Sequence, residues 1–405
     1  MQLKQPRAAW LLALAAVSCW LGVSSVLADG NVSAGASLFR EQGGPLHMDV
    51  IMPSANASVD VAEPLQLRVG WTADIVSGAS VAVVDAPAAK VDAISSATVS
   101  DTRHNFSGGL TLRDQQGSVD LAYGHAFEND YRSDNFAVTA RTDLWDRNTG
   151  IDIGYARAFD RVCDVAGTFE PVQKPRLENS KGCFSDAKDR TTRDLAIHTL
   201  HAGFTQVWTP YFTTRIGVLA QLLHGFQVNP YRAVRIGKTA AQESAPRERA
   251  RYALSASGRY WVVPLNAALG LEARVYRDTW GISSLSTELS YDQKLFGDVR
   301  LRLRLRYYTQ SRASFYSDDY MLAPRGRYFT GDRELSTMRS ALFGLAFRWQ
   351  LPTDESGHLL GFLSSFSLAL KGDLLRSFFD DFHYDRAEVP NTLAQLISLE
   401  LRATM

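Results

Sequence analysis

The stretch Val299–Tyr308 reads Val-Arg-Leu-Arg-Leu-Arg-Leu-Arg-Tyr-Tyr, a strict period of two that fits a β-strand and no helix. In a strand, Val299, Leu301, Leu303, Leu305 and Tyr307 face one way, while Arg300, Arg302, Arg304, Arg306 and Tyr308 face the other. One side favours hydrocarbon and the other favours water. A half-buried soluble sheet satisfies such a pattern. So does a membrane-barrel strand, apolar toward lipid and polar toward its lumen.

The rest of the chain points to the barrel. The 405 residues carry 43 basic and 43 acidic side chains, so no net charge steers the protein toward nucleic acid, and no nucleic-acid partner is expected. At the start, Lys4 and Arg7 precede an apolar run from Ala8 to Val23, and Val26-Leu27-Ala28 supplies the small residues a signal peptidase requires. Residues 1–28 therefore read as a secretory signal peptide cleaved after Ala28, with 29–405 as the mature domain. Beyond it, no window reaches the 18 or so uncharged apolar residues of a membrane helix, which excludes a helical membrane protein. Cys163 and Cys183, in a polar stretch, are the mature chain's cysteines, and an oxidising compartment favours a disulfide between them. A shared metal is the alternative, and no His lies between them.

From Ala34 to Arg402, alternating segments of roughly ten residues recur between turn residues. They include Met48–Ala55, Thr192–Trp208, Val299–Tyr308 and Leu393–Arg402. The reading is an all-β chain, a transmembrane antiparallel β-barrel of about sixteen strands, with a soluble β-sandwich as the competing architecture. Bacterial barrels put short turns in the periplasm and long loops outside. Short connections at 113–118, 146–150, Pro210, 262–264, 294–298 and 351–358 alternate with long ones at 75–102, 160–191, 227–250, 309–337 and 376–391. With sixteen strands both termini fall on the short-turn side, and the disulfide staples an extracellular loop.

Several motifs spread along the chain resemble the bacterial domain-of-unknown-function family 3570. They are Val275-Tyr276-Arg277-Asp278-Thr279-Trp280-Gly281, Arg306-Tyr307-Tyr308-Thr309-Gln310 with Phe315-Tyr316, Glu128-Asn129-Asp130-Tyr131-Arg132-Ser133, and Asn229-Pro230-Tyr231-Arg232. The resemblance implies an outer-membrane protein with no assigned activity. Two further sites, Asp74-Ile75-Val76-Ser77-Gly78-Ala79-Ser80 and Asp92-Ala93-Ile94-Ser95-Ser96-Ala97-Thr98, look like flavin-transferase acceptors, in which the last hydroxyl takes FMN through a phosphodiester. The second has Ser96 where glycine is usual. Small residues of this kind also suit a tight structural loop. The segment lands outside the cell while the transferase works in the periplasm, so modification would have to precede insertion.

Arg300, Arg302, Arg304 and Arg306 in a wet lumen could select anions. In the same phase on neighbouring strands stand Glu272, Glu288 and Asp292, and cross-strand pairing with these would neutralise much of the row. Catalysis finds little support: His198 and His201 fall on opposite faces of their strand and cannot jointly bind a metal or assist one serine. The chain is thus expected to be a non-enzymatic outer-membrane pore or scaffold without cofactor. Its partners would be outer-membrane lipid and a periplasmic protein. The alternative is a flavinylated component of envelope electron transfer, with FMN on Thr98 or Ser80. The denatured protein should show no flavin fluorescence in a gel, whereas a fluorescent band abolished by S80A/T98A would assign the flavin.

Overall fold

A sheet with one apolar and one polar face can shelter the polar face by closing on itself, and this chain does so. The computed structural model describes residues 30–43, 46–78, 101–177, 183–184, 188–237, 239–317, 320, 324–352, 363–384, 387–388 and 391–405. In order, the strands are β1 (Gly30–Gly43), β2 (Leu46–Ala62), β3 (Leu65–Gly78), β4 (Asp101–Arg113), β5 (Gly117–Phe127), β6 (Tyr131–Leu144), β7 (Thr149–Val165), β8 (Arg190–Thr209) and β9 (Phe212–Gly225). After the short β10 (Ala233–Ile236) and β11 (Thr239–Gln242) come β12 (Glu248–Val262), β13 (Ala267–Asp278), β14 (Ser283–Lys294), β15 (Val299–Gln310), β16 (Met338–Gln350) and β17 (Ser365–Phe379). The last are the short β18 (His383–Tyr384) and β19 (Ala387–Glu388), then β20 (Thr392–Thr404).

Sixteen of these form one closed antiparallel barrel in chain order, sealed where β20 pairs with β1 from Asn31↔Thr404 to Gln42↔Leu393. Closure removes the unpaired edges that an open sheet would expose. β10–β11 and β18–β19 are hairpins within connections. The sixteen strands match in number the sixteen expected from the sequence and each overlaps its expected place; β2 extends to Ala62, β8 spans Arg190–Thr209, and β17 is displaced to Ser365–Phe379 from the expected Leu359–Leu374. The expected signal peptide, residues 1–28, lies outside the described residues.

Both termini share one end of the barrel with the turns 114–116, 145–148, 210–211, 263–266 and 295–298. At this end large aromatic and apolar side chains stand out from the wall, Phe296 at 80%, Trp145 at 72% and Trp208 at 62% exposure, joined by Tyr211 and Trp349. Along the mid-strands, Val69, Leu121, Ile153, Val218, Leu271, Leu289, Leu305, Phe343, Leu370 and Ile397 form an exposed apolar band.

At the opposite end several connections pack on one another. Trp280 and Ile282 after β13 meet Ala313 and Tyr316 after β15 and Phe382 after β17 in one buried cluster. Val234, Ile236 and Ala241 of the β10–β11 hairpin form another with Tyr320 and Phe329. The expected disulfide is present: Cys163 at the end of β7 joins Cys183 with Cα atoms 5.7 Å apart, and both sulfurs are buried against Leu177. Ionic contacts tie the connections together. Arg333 donates from Nη2 to Glu41 of β1 at 2.7 Å, and buried Arg232 reaches both Asp332 and, at 3.6 Å, Glu243.

One guanidinium shared between two buried carboxylates leaves the second incompletely compensated. Burial pushes the Glu243 carboxyl up to about 7; Arg232 pulls it down, and Asp332 pushes it up again. Burial also raises Glu334, in the same loop as Asp332. A carboxyl whose folded pKa lies above its ordinary 4.5 stabilises the cap fully below that value and loses this contribution as pH climbs toward about 7. Hydrogen-exchange protection of 226–237 and 324–337, corrected for intrinsic rate, should therefore be higher at pH 5 than at pH 8. Glu243→Gln should flatten the difference; equal protection of the wild type at both pH values would refute this reading.

Candidate functional site

β15 presents its arginines on one face, and antiparallel pairing decides what each meets. Register sets Arg302 opposite Asp292, Arg304 opposite Ser290 and Arg306 opposite Glu288 on β14, and Glu288 in turn opposite Glu272 on β13. Arg302 donates from Nε to Asp292 Oδ1 at 2.6 Å, the adjacent-strand pairing expected from the sequence. Asp292 also receives Arg259 Nη2 from β12 at 2.8 Å. Glu288 pairs not with the directly opposed Arg306 but with Arg304, at 3.8 Å. Glu272 is exposed and makes no ion pair among the described residues, so the expected contact with the arginine row does not form.

The principal partner of Arg304 is one that sequence reasoning missed. Its Nη2 donates to Asp373 Oδ1 of β17 at 2.9 Å, reaching over β16, and Lys371 Nζ holds the other oxygen at 2.9 Å. Asp373 is buried, so these contacts replace the water it has lost. The residue passed over is Gly344, opposite both Arg304 and Asp373; a Cβ there would press into the Asp373 carboxylate and lie 3.2 Å from Arg304 Nε. The same device recurs twice. Arg215 of β9 reaches Asp152 of β7 at 2.7 Å over Gly203 of β8, and Arg68 of β3 reaches Asp120 of β5 over Gly109 of β4. In each case the glycine leaves a saddle through which a side chain spans to the second neighbour. A glycine in the charged phase of a strand, with arginine and aspartate on either side, is the signal that could have found these pairs.

Arg300 and Arg306 form no ion pair among the described residues. His198 and His201 lie on opposite faces as expected: His198 hydrogen-bonds Tyr155 on the apolar face at 2.8 Å, while His201 sits over Gly154 on the charged face. No group of three or more His, Cys, Asp or Glu gathers into a metal-binding arrangement among the described residues. Ser80 and Thr98 lie outside them.

All four motifs quoted above sit at the capped end, where the fold explains them as anchors. Asp278 closes the turn after β13, accepting from the backbone N–H groups of Trp280 at 3.0 Å and Ile282 at 2.9 Å, from Tyr276 at 2.8 Å, and from Arg249 Nε at 2.9 Å. Arg249 lies over the Trp280 ring at 3.9 Å. Gln310 ends β15 by donating to the carbonyls of Glu334 and Ser336, each at 2.8 Å. Tyr131 donates to Asp160 at 2.6 Å, and Gln242 donates to the Pro230 carbonyl at 3.1 Å.

The saddle makes a prediction whose sign opposes strand propensity. Valine outranks glycine in strands, so propensity alone favours Gly344→Val. Displacing Arg304 from buried Asp373 should instead make this variant about 1 to 3 kcal/mol less stable. Gly372→Val, where a Cβ meets nothing within 4 Å, is the control and should be neutral or stabilising. Melting of heat-modifiable mobility on gels compares the two, and equal effects would refute the saddle.

No curated protein matches the chain. Solved structures similar in fold include a bacterial polysaccharide outer membrane secretin, at 8% identity over 92% of this chain and 98% of that one, TM-score 0.48. The loop L8 deletion mutant of OmpT, an outer membrane protein of Vibrio cholerae, is 10% identical over 94% of this chain and 100% of that one, TM-score 0.44. Pseudomonas aeruginosa OpdQ is 6% identical over 93% of this chain and 98% of that one, TM-score 0.42. A family model described as protein of unknown function (DUF3570) matches residues 11–361, the span that contains all four capped-end motifs and the arginine strand, and the chain belongs to that family.

Proposed function

We propose that this protein is a non-enzymatic outer-membrane β-barrel, a pore or envelope scaffold whose lumen is lined by Arg300, Arg302, Arg304, Arg306, Glu272, Glu288 and Asp292. The observation that carries the reading is the exposed band of Leu, Val, Ile and Phe around a closed barrel, bounded at the turn end by Trp145, Trp208 and Trp349. Water penalises so large an apolar surface, hydrocarbon does not, and interfacial tryptophans suit the headgroup level. The termini and short turns then lie in the periplasm, within reach of a periplasmic partner protein, and the disulfide-stapled cap lies outside the cell.

Within that lumen, the ion pairs of Arg302 and Arg304 favour a braced wall over a freely charged one. Fractionation with the outer membrane and heat-modifiable migration should confirm the location; recovery as a soluble periplasmic protein would reject it. R302E/R304E places carboxylates against Asp292, Glu288 and Asp373. It should lower barrel stability by roughly 0.2 to 1 kcal/mol per opposed pair, and more at desolvated Asp373. In planar bilayers, large conductance whose ion selectivity reverses in that variant, with folding intact, would show that these arginines instead govern permeation.

A further inference from the structure

The arginine row divides along the strand. Arg302 and Arg304 are paired, but Arg300, one residue inside the turn end of β15, stands directly opposite Arg348 of β16. Neither guanidinium has an ion-pair partner among the described residues. Like charges opposed across an antiparallel pair repel, their Cβ atoms being only about 5 Å apart. On the other flank register places Lys294 opposite Arg300, and Lys294 reaches only Asp298, at 3.7 Å. Three cations thus lie side by side on three adjacent strands.

Arg300 and Arg348 line one cavity of about 480 Å³, where six basic side chains meet four carboxylates. Each of those carboxylates is already engaged: Asp292 by Arg302 and Arg259, Glu288 by Arg304, Asp373 by Arg304 and Lys371, and Glu400 by Arg402 at 3.0 Å. Two guanidinium forks remain, opposed across the β15–β16 pair in a concave site, without a counter-charge among the described residues. Guanidinium forks bind tetrahedral oxyanions through paired N–H donors, and two of them match a doubly charged ligand.

We propose that Arg300 and Arg348 form a binding site for a small phosphate-class dianion at the turn-end mouth of the barrel. The proposal rests on the lumenal reading above and gives that reading a ligand class. Bound phosphate relieves the Arg300–Arg348 repulsion, and water access through the mouth allows it to exchange.

The test uses full-length folded protein in detergent, with heat-modifiable migration checked on every sample. Inorganic phosphate above its second pKa is titrated by calorimetry at ionic strength matched with sodium chloride. Wild type should bind phosphate in preference to chloride. R300Q/R348Q should weaken binding at least tenfold while keeping heat-modifiable migration. R274Q/R306Q removes the same formal charge from the same face away from this mouth and should change binding less than twofold. Folded wild type that does not prefer phosphate, or a loss equal in the two double variants, overturns the site and leaves the barrel reading standing. Protein that shows no heat-modifiable migration at all fails the barrel reading, and the site falls with it.

Discussion

The ion pair that crosses a strand over a glycine is the interaction on which the charged wall depends. Strands in a sheet lie about 4.8 Å apart, so second neighbours are separated by roughly 9.5 Å, within the reach of an arginine whose path is clear. Arg304 to Asp373 over Gly344, Arg215 to Asp152 over Gly203, and Arg68 to Asp120 over Gly109 use that path at three places around the barrel. A pair made this way joins three strands instead of two. It also brings Asp373 a cation from a second-neighbour strand where neither directly opposed residue, Gly344 or Leu396, carries charge.

The barrel was legible in the sequence because its signal is local. An alternation such as Val-Arg-Leu-Arg-Leu-Arg specifies a strand and both its faces without reference to any other part of the chain, and repetition of that signal yields sixteen strands. Strand ends were less legible. β8 and β2 run on past the apolar alternation, where hydrogen bonding to a neighbour continues after side-chain pattern stops. The short hairpins β10–β11 and β18–β19 carry too few residues to show a period. For the site, Arg302–Asp292 was legible because adjacent strands are adjacent in sequence. Arg304–Asp373 was not, because 69 positions separate its members and nothing in either segment names the other. Glu272 illustrates the converse error: correct phase on a nearby strand, with register placing it opposite Glu288 instead of a cation.

The capped end obeys a different economy. It buries Asp278, Arg249, Glu243 and Arg333, groups that are almost never fully buried unless paired. Pairing them through Asp278 to two backbone N–H groups, or through Arg232 to two loops at once, makes each contact conditional on the correct path of the whole connection. Removing one partner strands a buried charge. This selects a single arrangement of long loops more sharply than apolar packing, which tolerates repacking. The motifs at Asp278, Gln310, Tyr131 and Pro230 are the points where loop meets strand, so their chemistry is that of anchoring.

The wall and the cap together show where charge can be left unpaired. Half-buried Arg304 sits midway along β15 and has both Asp373 and Glu288 as partners. Arg300 and Arg348 are exposed near the turn end, where hydration keeps small the cost of having no ion-pair partner among the described residues. The same exposure that makes the unpaired cations tolerable makes them available to a ligand. Pairing Arg302 and Arg304 within the wall while Arg300 and Arg348 have no ion-pair partner among the described residues is the asymmetry on which the proposed anion site at that mouth rests.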